Sequence, residues 1–391
     1  MINAAECWSR SANCKLMGKE KDISFRRATI LLGACDLMFA NRRAFLLIAV
    51  LAGVAILPGV SEARKRAPAP PPLSADAVNH AQYSSAPLDR PNPVMLKAQI
   101  LLDRATISPG MIDASNGENV RKAIAAFQEV HGLHATGKLD QGTWNELTRD
   151  ATAPVIVEYK ITEQDVKGPF ATSIPHDLEK MARLPHLSYT SPLELLAEKF
   201  HVDAKVLQRL NPGKRFDAAG TSILVPDVGT REPAGRVARI EVAKSSKNVR
   251  ALGENGELIA FYPASIGSKE KPAPSGRYKI RRVVRNPTYH YNPKFKFKEV
   301  RTHRKLTIAP GPKNPVGLVW IDLTKKSYGI HGTPNPSRIG KSYSHGCVRL
   351  TNWDALDLAR RVRKGNPVDF VDKPAPLPAR ETPGQARTRT Q

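Results

Sequence analysis

Apolar positions along the chain fall into three regimes. Between Val94 and about Leu147 they recur at helical spacing: Val120, Ala123, Ile124 and Phe127 stand at i, i+3, i+4 and i+7, one stripe on one helix. Gly132 is placed to end that helix, and Thr143 to cap a last short one carrying Trp144 and Leu147. From Tyr189 to Asp227 two shorter apolar faces follow, Leu195/Leu196/Phe200 and Val206/Leu207/Leu210. Asn211-Pro212-Gly213 ends the second, and Ile223-Leu224-Val225-Pro226 reads as a strand. From Arg236 the period drops to two. Ile240 and Val242 alternate with polar residues, Glu254-Asn255-Gly256-Glu257 supplies a hairpin turn, and short apolar runs recur at 278–280, 318–321, 328–330 and 368–371. One helix interrupts them, Trp353 to Lys364, with Thr351-Asn352-Trp353-Asp354 as its capping box and Gly365 as its stop. The pattern predicts a multidomain chain. A mostly-β domain over 236–372, an antiparallel β-sandwich or distorted barrel with one main helix, follows a three-helix domain over 93–150 and a small α+β module over 186–227.

The flanks carry other signals. Arg42-Arg43 precede an apolar run from Ala44 to Leu57, then Pro58-Gly59 and Ser61-Glu62-Ala63: a basic start, a short apolar stretch and small residues before a cut after Ala63. Residues 1–63 are therefore expected to be an N-terminal extension and secretory signal, and the chain to work in the periplasm or cell envelope. An uncleaved anchor is the alternative, and the run is short for a membrane span. Asn41-Arg42-Arg43-Ala44-Phe45-Leu46 resembles a twin-arginine export signal. Residues 64–92 read as a Pro-rich linker and 373–391 as a disordered basic tail. The formal charge of +24 favours polyanionic partners. RNA-binding signatures, zinc-finger spacing and basic helical arrays are not found, which argues against nucleic acid and leaves an acidic polymer or a solvated basic surface.

Cysteine usage narrows the chemistry. Of the four cysteines, Cys7, Cys14 and Cys35 precede the cut, so export leaves Cys347 as a lone thiol in an oxidising compartment. It stands in a segment, His331-Gly332-Thr333 … Ser344-His345-Gly346-Cys347-Val348-Arg349, that holds two histidines. A thiolate is the reactive species, and an imidazole can take its proton. Arg338, Lys341 and Arg349 add positive potential that favours the thiolate. Gly346 lets backbone approach a substrate, and neighbouring amides can hold an oxyanion. Spacing alone leaves both His331 and His345 open as the base. Two other readings compete: a zinc site of His331, His345 and Cys347, and an inert structural turn. The zinc reading lacks a second cysteine, an HExxH helix and a carboxylate partner.

The segment His-Gly-Thr … Ser-His-Gly-Cys-hydrophobic-Arg resembles the signature of the YkuD-type L,D-transpeptidases. Pro274-Ser275-Gly276-Arg277-Tyr278-Lys279-Ile280 resembles that family's Thr-Pro-Thr-Gly-x-Phe strand. Ala123–Gln128 with Gly132-Leu133, Gly137 and Thr143–Leu147 resembles the small three-helix peptidoglycan-binding domain, except that Asp113 is followed by Ala114-Ser115 rather than Gly. The module over 186–227 resembles a LysM domain whose first strand is not evident. The resemblance implies a cysteine acyltransferase. Cys347 would be the nucleophile and His331 the proton donor and acceptor, with His345, Gly346 and Ser344 shaping the acyl pocket and Arg349 and Gly332 contacting substrate. It implies no cofactor or metal. The implied partners are peptidoglycan stem peptides and glycan, with an outer-membrane protein as one conceivable acyl acceptor. Hydrolysis to a tripeptide (L,D-carboxypeptidase) and wall binding without chemistry are the alternatives. No phosphate-cradling glycine loop is present.

Overall fold

The computed structural model describes residues 73–85, 91–229, 235–268, 271–295, 302–342, 344 and 346–378. The expected export signal, much of the linker, His345 and the tail from 379 lie outside the described residues.

The described residues begin inside the expected linker, at Leu73. Helix α1 (Ala75–Asn79) is capped by Ser74 and buries Val78. The Asn79 amide accepts from the N–H groups of Val155 and Ile156 and donates to the Ile156 carbonyl. An apolar pair and one bridging amide thus fix a stretch that composition marks as a spacer. Helices α2 (Pro93–Arg104), α3 (Glu118–Val130) and α4 (Gln141–Thr148) form the helical domain, and the predicted stripe on α3 is buried. Thr143 is not the cap of α4. Asp140 is, its carboxylate accepting the Thr143 N–H at 2.7 Å, while the buried Thr143 hydroxyl accepts from Gln128. Aspartate at this position adds a charge that complements the helix dipole.

Strand β1 (Ile156–Lys160) is followed by α5 (Glu163–Lys167), α6 (Leu178–Met181), α7 (Pro192–Lys199), α8 (Ala204–Leu210) and β2 (Ser222–Pro226). β1 pairs antiparallel with β2, Ile156 opposite Pro226. This antiparallel pair brackets the helices, with the α5–α6 segment between β1 and α7. The module reaches upstream of residue 186.

The remaining elements are β3 (Arg239–Ala243), β4 (Asn248–Leu252), β5 (Leu258–Pro263), β6 (Ser265–Ile266), β7 (Gly276–Arg285), β8 (Tyr289–Tyr291), β9 (Leu306–Ile308), β10 (Val319–Leu323), β11 (Gly329–His331), β12 (Val348–Arg349), α9 (Asn352–Arg361) and β13 (Pro367–Val371). One sheet runs β5-β4-β3-β13-β7-β10-β11-β12-β6, and β8 pairs with β9 apart from it. Its two end strands are separated in sequence by Ala264 alone, so the sheet curls back on itself into a nearly closed barrel. The expected antiparallel sheet is in fact mixed: β13 lies parallel to β3, and β12 parallel to β11. The long loop 332–347 returns the chain so that β12 runs in the same direction as β11, a connection that parallel neighbours require. Ile240, Val242, Val249, Tyr262, Ile321, Ile330, Val348 and Leu358 fill the interior. Thr351 caps α9 by accepting the Asp354 N–H. The helix ends at Arg361, short of the predicted Lys364, because Val362 is already extended; Gly365 (φ +95°) turns the chain afterwards.

The three modules share a core. Leu252, Leu258 and Phe261 of the barrel pack into the same cluster as α2, α3 and α8. Residues 106–108 run along β5: Phe261 N–H donates to the Thr106 carbonyl and Ser108 N–H to the Phe261 carbonyl, each at 2.9 Å. The Ser108 hydroxyl reaches Asp354 of α9 at 3.0 Å. At the centre His201 pairs with Asp103 at 2.9 Å and stacks on Trp353, ring centroids 5.1 Å apart. The expected disordered tail is ordered over 373–378. Leu377 is buried in the shared cluster, and Arg250 donates to the Ala375 carbonyl at 2.8 Å. An apolar side chain with a pocket to fill and a guanidinium to hold its backbone overrides the Pro-rich composition.

Candidate active site

The parallel pair β11/β12 sets Ile330 opposite Val348 and His331 opposite Arg349. Side chains alternate along strands. Ile330 and Val348 both point into the barrel core, so His331 and Arg349 share the other face, and Cys347, two residues before Arg349, joins them there. Gly346 enters this stretch at φ +108°, a left-handed conformation, with the Tyr328 ring 3.2 Å from where a Cβ would stand. Any side chain at 346 would be strained in backbone and crowded by Tyr328.

Ser344 anchors the loop from behind. Its hydroxyl accepts the Gly267 N–H at 2.7 Å and donates to the Cys347 carbonyl, and its own N–H donates to the Gly267 carbonyl at 3.1 Å. It therefore holds the backbone of Cys347 against the end of β6 rather than touching the sulfur.

Cys347 is half-buried. Its Sγ–H points to the Ser327 carbonyl at 3.8 Å, and the Gly329 N–H lies against the sulfur. Burial pushes the thiol above its ordinary pKa; the Gly329 amide and Arg349 pull the other way but do not prevail. The positive potential expected around the thiol is therefore set against burial, which acts the other way. Arg349 acts as anticipated, but Arg338 and Lys341 are exposed, and desolvation is the larger effect.

His331 is buried, and its ring stacks on Trp320 with centroids 5.5 Å apart. Nδ1 lies 2.7 Å from the Gly332 carbonyl. A carbonyl only accepts, so Nδ1 carries the hydrogen and Nε2 keeps its lone pair. Burial, reinforced by Arg349, depresses the imidazole pKa to about 3 against the weaker opposing effect of the Gly332 carbonyl. The ring is a neutral base at physiological pH. Gly332 itself is buried under the site: a Cβ there would stand 2.2 Å from Asn352 Oδ1.

Tyr289, at the start of β8, escaped sequence reasoning. Burial and the adjacent Cys347 raise its phenol, keeping it protonated beside the sulfur. Neither motif nor spacing marks it, because it reaches the site through the small β8–β9 sheet. The Ser327 carbonyl, at a residue with φ +65°, is equally silent in sequence. Among the described residues no cluster of three His, Cys, Asp or Glu is placed to hold a metal ion.

Residues 238–370 match the L,D-transpeptidase catalytic domain, and residues 92–147 the family described as “Putative peptidoglycan binding domain”. “Putative L,D-transpeptidase YkuD” of Bacillus licheniformis is 34% identical over 181 residues, covering 46% of this chain and 93% of its own length. The protein of the same name from Bacillus subtilis is 30% identical over 177 residues, covering 45% and 91%. The crystal structure of L,D-transpeptidase 3 from Mycobacterium tuberculosis with a faropenem-derived adduct is 18% identical, covers 39% of this chain and 74% of that one, and has a TM-score of 0.29. With a catalytic segment matched from β3 to β13 and a relative spanned almost end to end, the chain belongs to the L,D-transpeptidase family.

Proposed function

We propose that the chain acts in the cell envelope as a peptidoglycan L,D-transpeptidase with Cys347 as nucleophile and His331 as proton carrier. One observation carries the reading: the β11/β12 register puts the thiol, the imidazole and Arg349 on one face, with the imidazole held in the tautomer whose Nε2 can accept a proton.

The resting pair is a neutral thiol and a neutral imidazole. Proton transfer from Sγ to Nε2 accompanies attack on the carbonyl carbon of the third stem-peptide residue. A C–S bond forms, the C–N bond to the terminal D-alanine breaks, and the proton on Nε2 passes to the leaving amine. In the second half an acceptor amine attacks the thioester, gives its proton to Nε2, and expels the sulfur, which recovers that proton. The amides around Gly346 and Cys347 are the donors nearest to a developing oxyanion. Arg349, on the same face, suits the free carboxylate of the stem. An amine on a second stem gives a cross-link; an amine on an outer-membrane protein attaches that protein to the wall. The helical and α+β modules hold glycan beside the barrel and raise the local concentration of stems.

Sacculi incubated with wild type and Cys347→Ala, followed by mass spectrometry of the released muropeptides, test the proposal. Wild type should release D-alanine and yield new cross-linked dimers, and the variant neither. Tripeptides without dimers at high acceptor would make the chain a carboxypeptidase. Intact tetrapeptides in both samples would make it a wall-binding protein.

A further inference from the structure

A second layer of contacts behind His331 crosses from the barrel into the α+β module. Asn352, the first residue of α9, is buried. Its Oδ1 accepts the Leu318 N–H at 3.1 Å and lies tight against Gly332 and Gly317, where added Cβ atoms would stand 2.2 and 2.0 Å away. Its Nδ2 donates to the Pro312 carbonyl at 3.2 Å and to Glu198 Oε1 at 2.9 Å. Glu198 belongs to α7, outside the barrel, and the Tyr189 hydroxyl donates to the same oxygen at 3.0 Å.

These contacts converge on one peptide. Gly332 donates its N–H to Val319 and offers its carbonyl to His331 Nδ1. Leu318 immediately precedes β10, and Gly332 immediately follows β11. The Asn352 amide therefore clamps the two strands at the point where the His331 tautomer is set. How firmly that amide is held depends on the Leu318 N–H at its oxygen and on the two acceptors of its hydrogens. Without the carboxylate one Nδ2 hydrogen loses its acceptor, and the amide is held by the Leu318 and Pro312 bonds alone, which loosens the clamp on Gly332. Lys313 reinforces the joint from the other side, bridging Glu194 at 2.5 Å to the Pro334 carbonyl at 3.2 Å.

We propose that Glu198 of the α+β module is a positioning residue for His331, acting through Asn352 and the Gly332 carbonyl. The module is then part of the catalytic apparatus as well as a candidate glycan binder. The inference rests on His331 being the proton carrier proposed above. Burial raises the Glu198 carboxyl to about 7, consistent with a side chain held out of water for its hydrogen bonds.

The test uses the full chain carrying 15N-labelled histidine, in wild type, Glu198→Met (close in shape, unable to accept like a carboxylate), Glu198→Gln and Lys313→Met. Ring 15N shifts report the tautomer of His331, assigned with His331→Gln, and D-alanine release from a tetrapeptide muropeptide gives kcat and KM. Wild type should show one tautomer, protonated at Nδ1. Glu198→Met should show a mixture and lose about tenfold in kcat with KM within twofold. Glu198→Gln, whose amide oxygen still accepts, should restore the single tautomer and most of kcat. Lys313→Met should lower the melting temperature without changing the tautomer. If Glu198→Met does not fold, Asn352→Ser takes its place with the same expected mixture. A single Nδ1-protonated tautomer in a folded Glu198→Met or Asn352→Ser variant overturns the proposal, as does a Glu198→Gln variant no better than Glu198→Met. Failure of wild type to release D-alanine would instead refute the proposed function, and the tautomer readings would still decide the role of Glu198.

Discussion

Alkylation of Cys347 as a function of pH separates two kinds of cysteine enzyme. Iodoacetamide reacts with thiolate, so its rate tracks the ionised fraction in the resting protein. An ordinary cysteine, with a pKa of about 8.5, is about 3% thiolate at pH 7. Cys347 is held above its ordinary value, because burial outweighs the Gly329 amide and Arg349. Its thiolate fraction is lower still, and each further unit of elevation divides it by about ten. Below the pKa the rate then rises about tenfold per pH unit. His331 stays neutral down to about pH 3 and supplies no imidazolium partner in this range. Peptide mass spectrometry of the Cys347 peptide after timed exposure gives the rates. Arg349→Gln removes a side-chain charge that favours the thiolate, so alkylation at pH 8 should fall about three- to tenfold. A rate that is flat between pH 6 and 8 would refute the neutral-pair description, since a thiolate–imidazolium pair is already ionised there. Faster alkylation in Arg349→Gln would refute the electrostatic assignment.

Gly332→Ala forces its Cβ to within 2.2 Å of Asn352 Oδ1. Overpacking of about 1–3 kcal/mol, with about 1 kcal/mol for the disturbed Leu318 bond, should lower the melting temperature by several degrees and slow D-alanine release. The depressed pKa of His331 makes the folded state resist protonation, so stability should fall as pH drops from about 6.5 towards 3, by up to about 1.4 kcal/mol per unit. Urea melts of wild type and His331→Gln across that window measure it; identical slopes would contradict a buried neutral ring. Leu377→Ala should cost about 2 kcal/mol, the low end for a buried leucine because a terminal segment can relax. Protease cleavage near residue 373 at concentrations that spare wild type would show it.

Much of the barrel is visible in alternating runs, because each strand buries one face: Ile240/Val242 and Ile321 could be placed from neighbours alone. The α3 stripe is legible for the same reason. Three things were not. The parallel sense of β12 depends on where loop 332–347 re-enters the sheet, and no local period encodes a re-entry direction. Strand β1 finds its partner β2 only after four intervening helices, so its pairing is invisible to any window. The order of Leu73–Ala81 and Leu377 comes from apolar pockets on distant elements, which composition cannot register. At the site, Cys347 and His331 stand out as residue types, yet their electrostatic state does not. Counting nearby cations registers what favours a thiolate, while burial, which favours the thiol, is a property of the folded surroundings. Thr143 as the expected cap failed on a smaller scale: Asp140 caps the helix instead, and only geometry selects between residue types that can both serve.

The pairing of residues 106–108 with β5 has a consequence for how the domains may be separated. A chain beginning at residue 236 would present β5 as a bare rim, with the backbone groups of Phe261 unmatched and its ring turned out to water. Such a rim invites a second molecule to add its own strand, and oligomers or fibres follow more readily than a soluble barrel. Exchanging the helical domain for another binding module would meet the same obstacle unless the newcomer brought a segment able to complete the ladder.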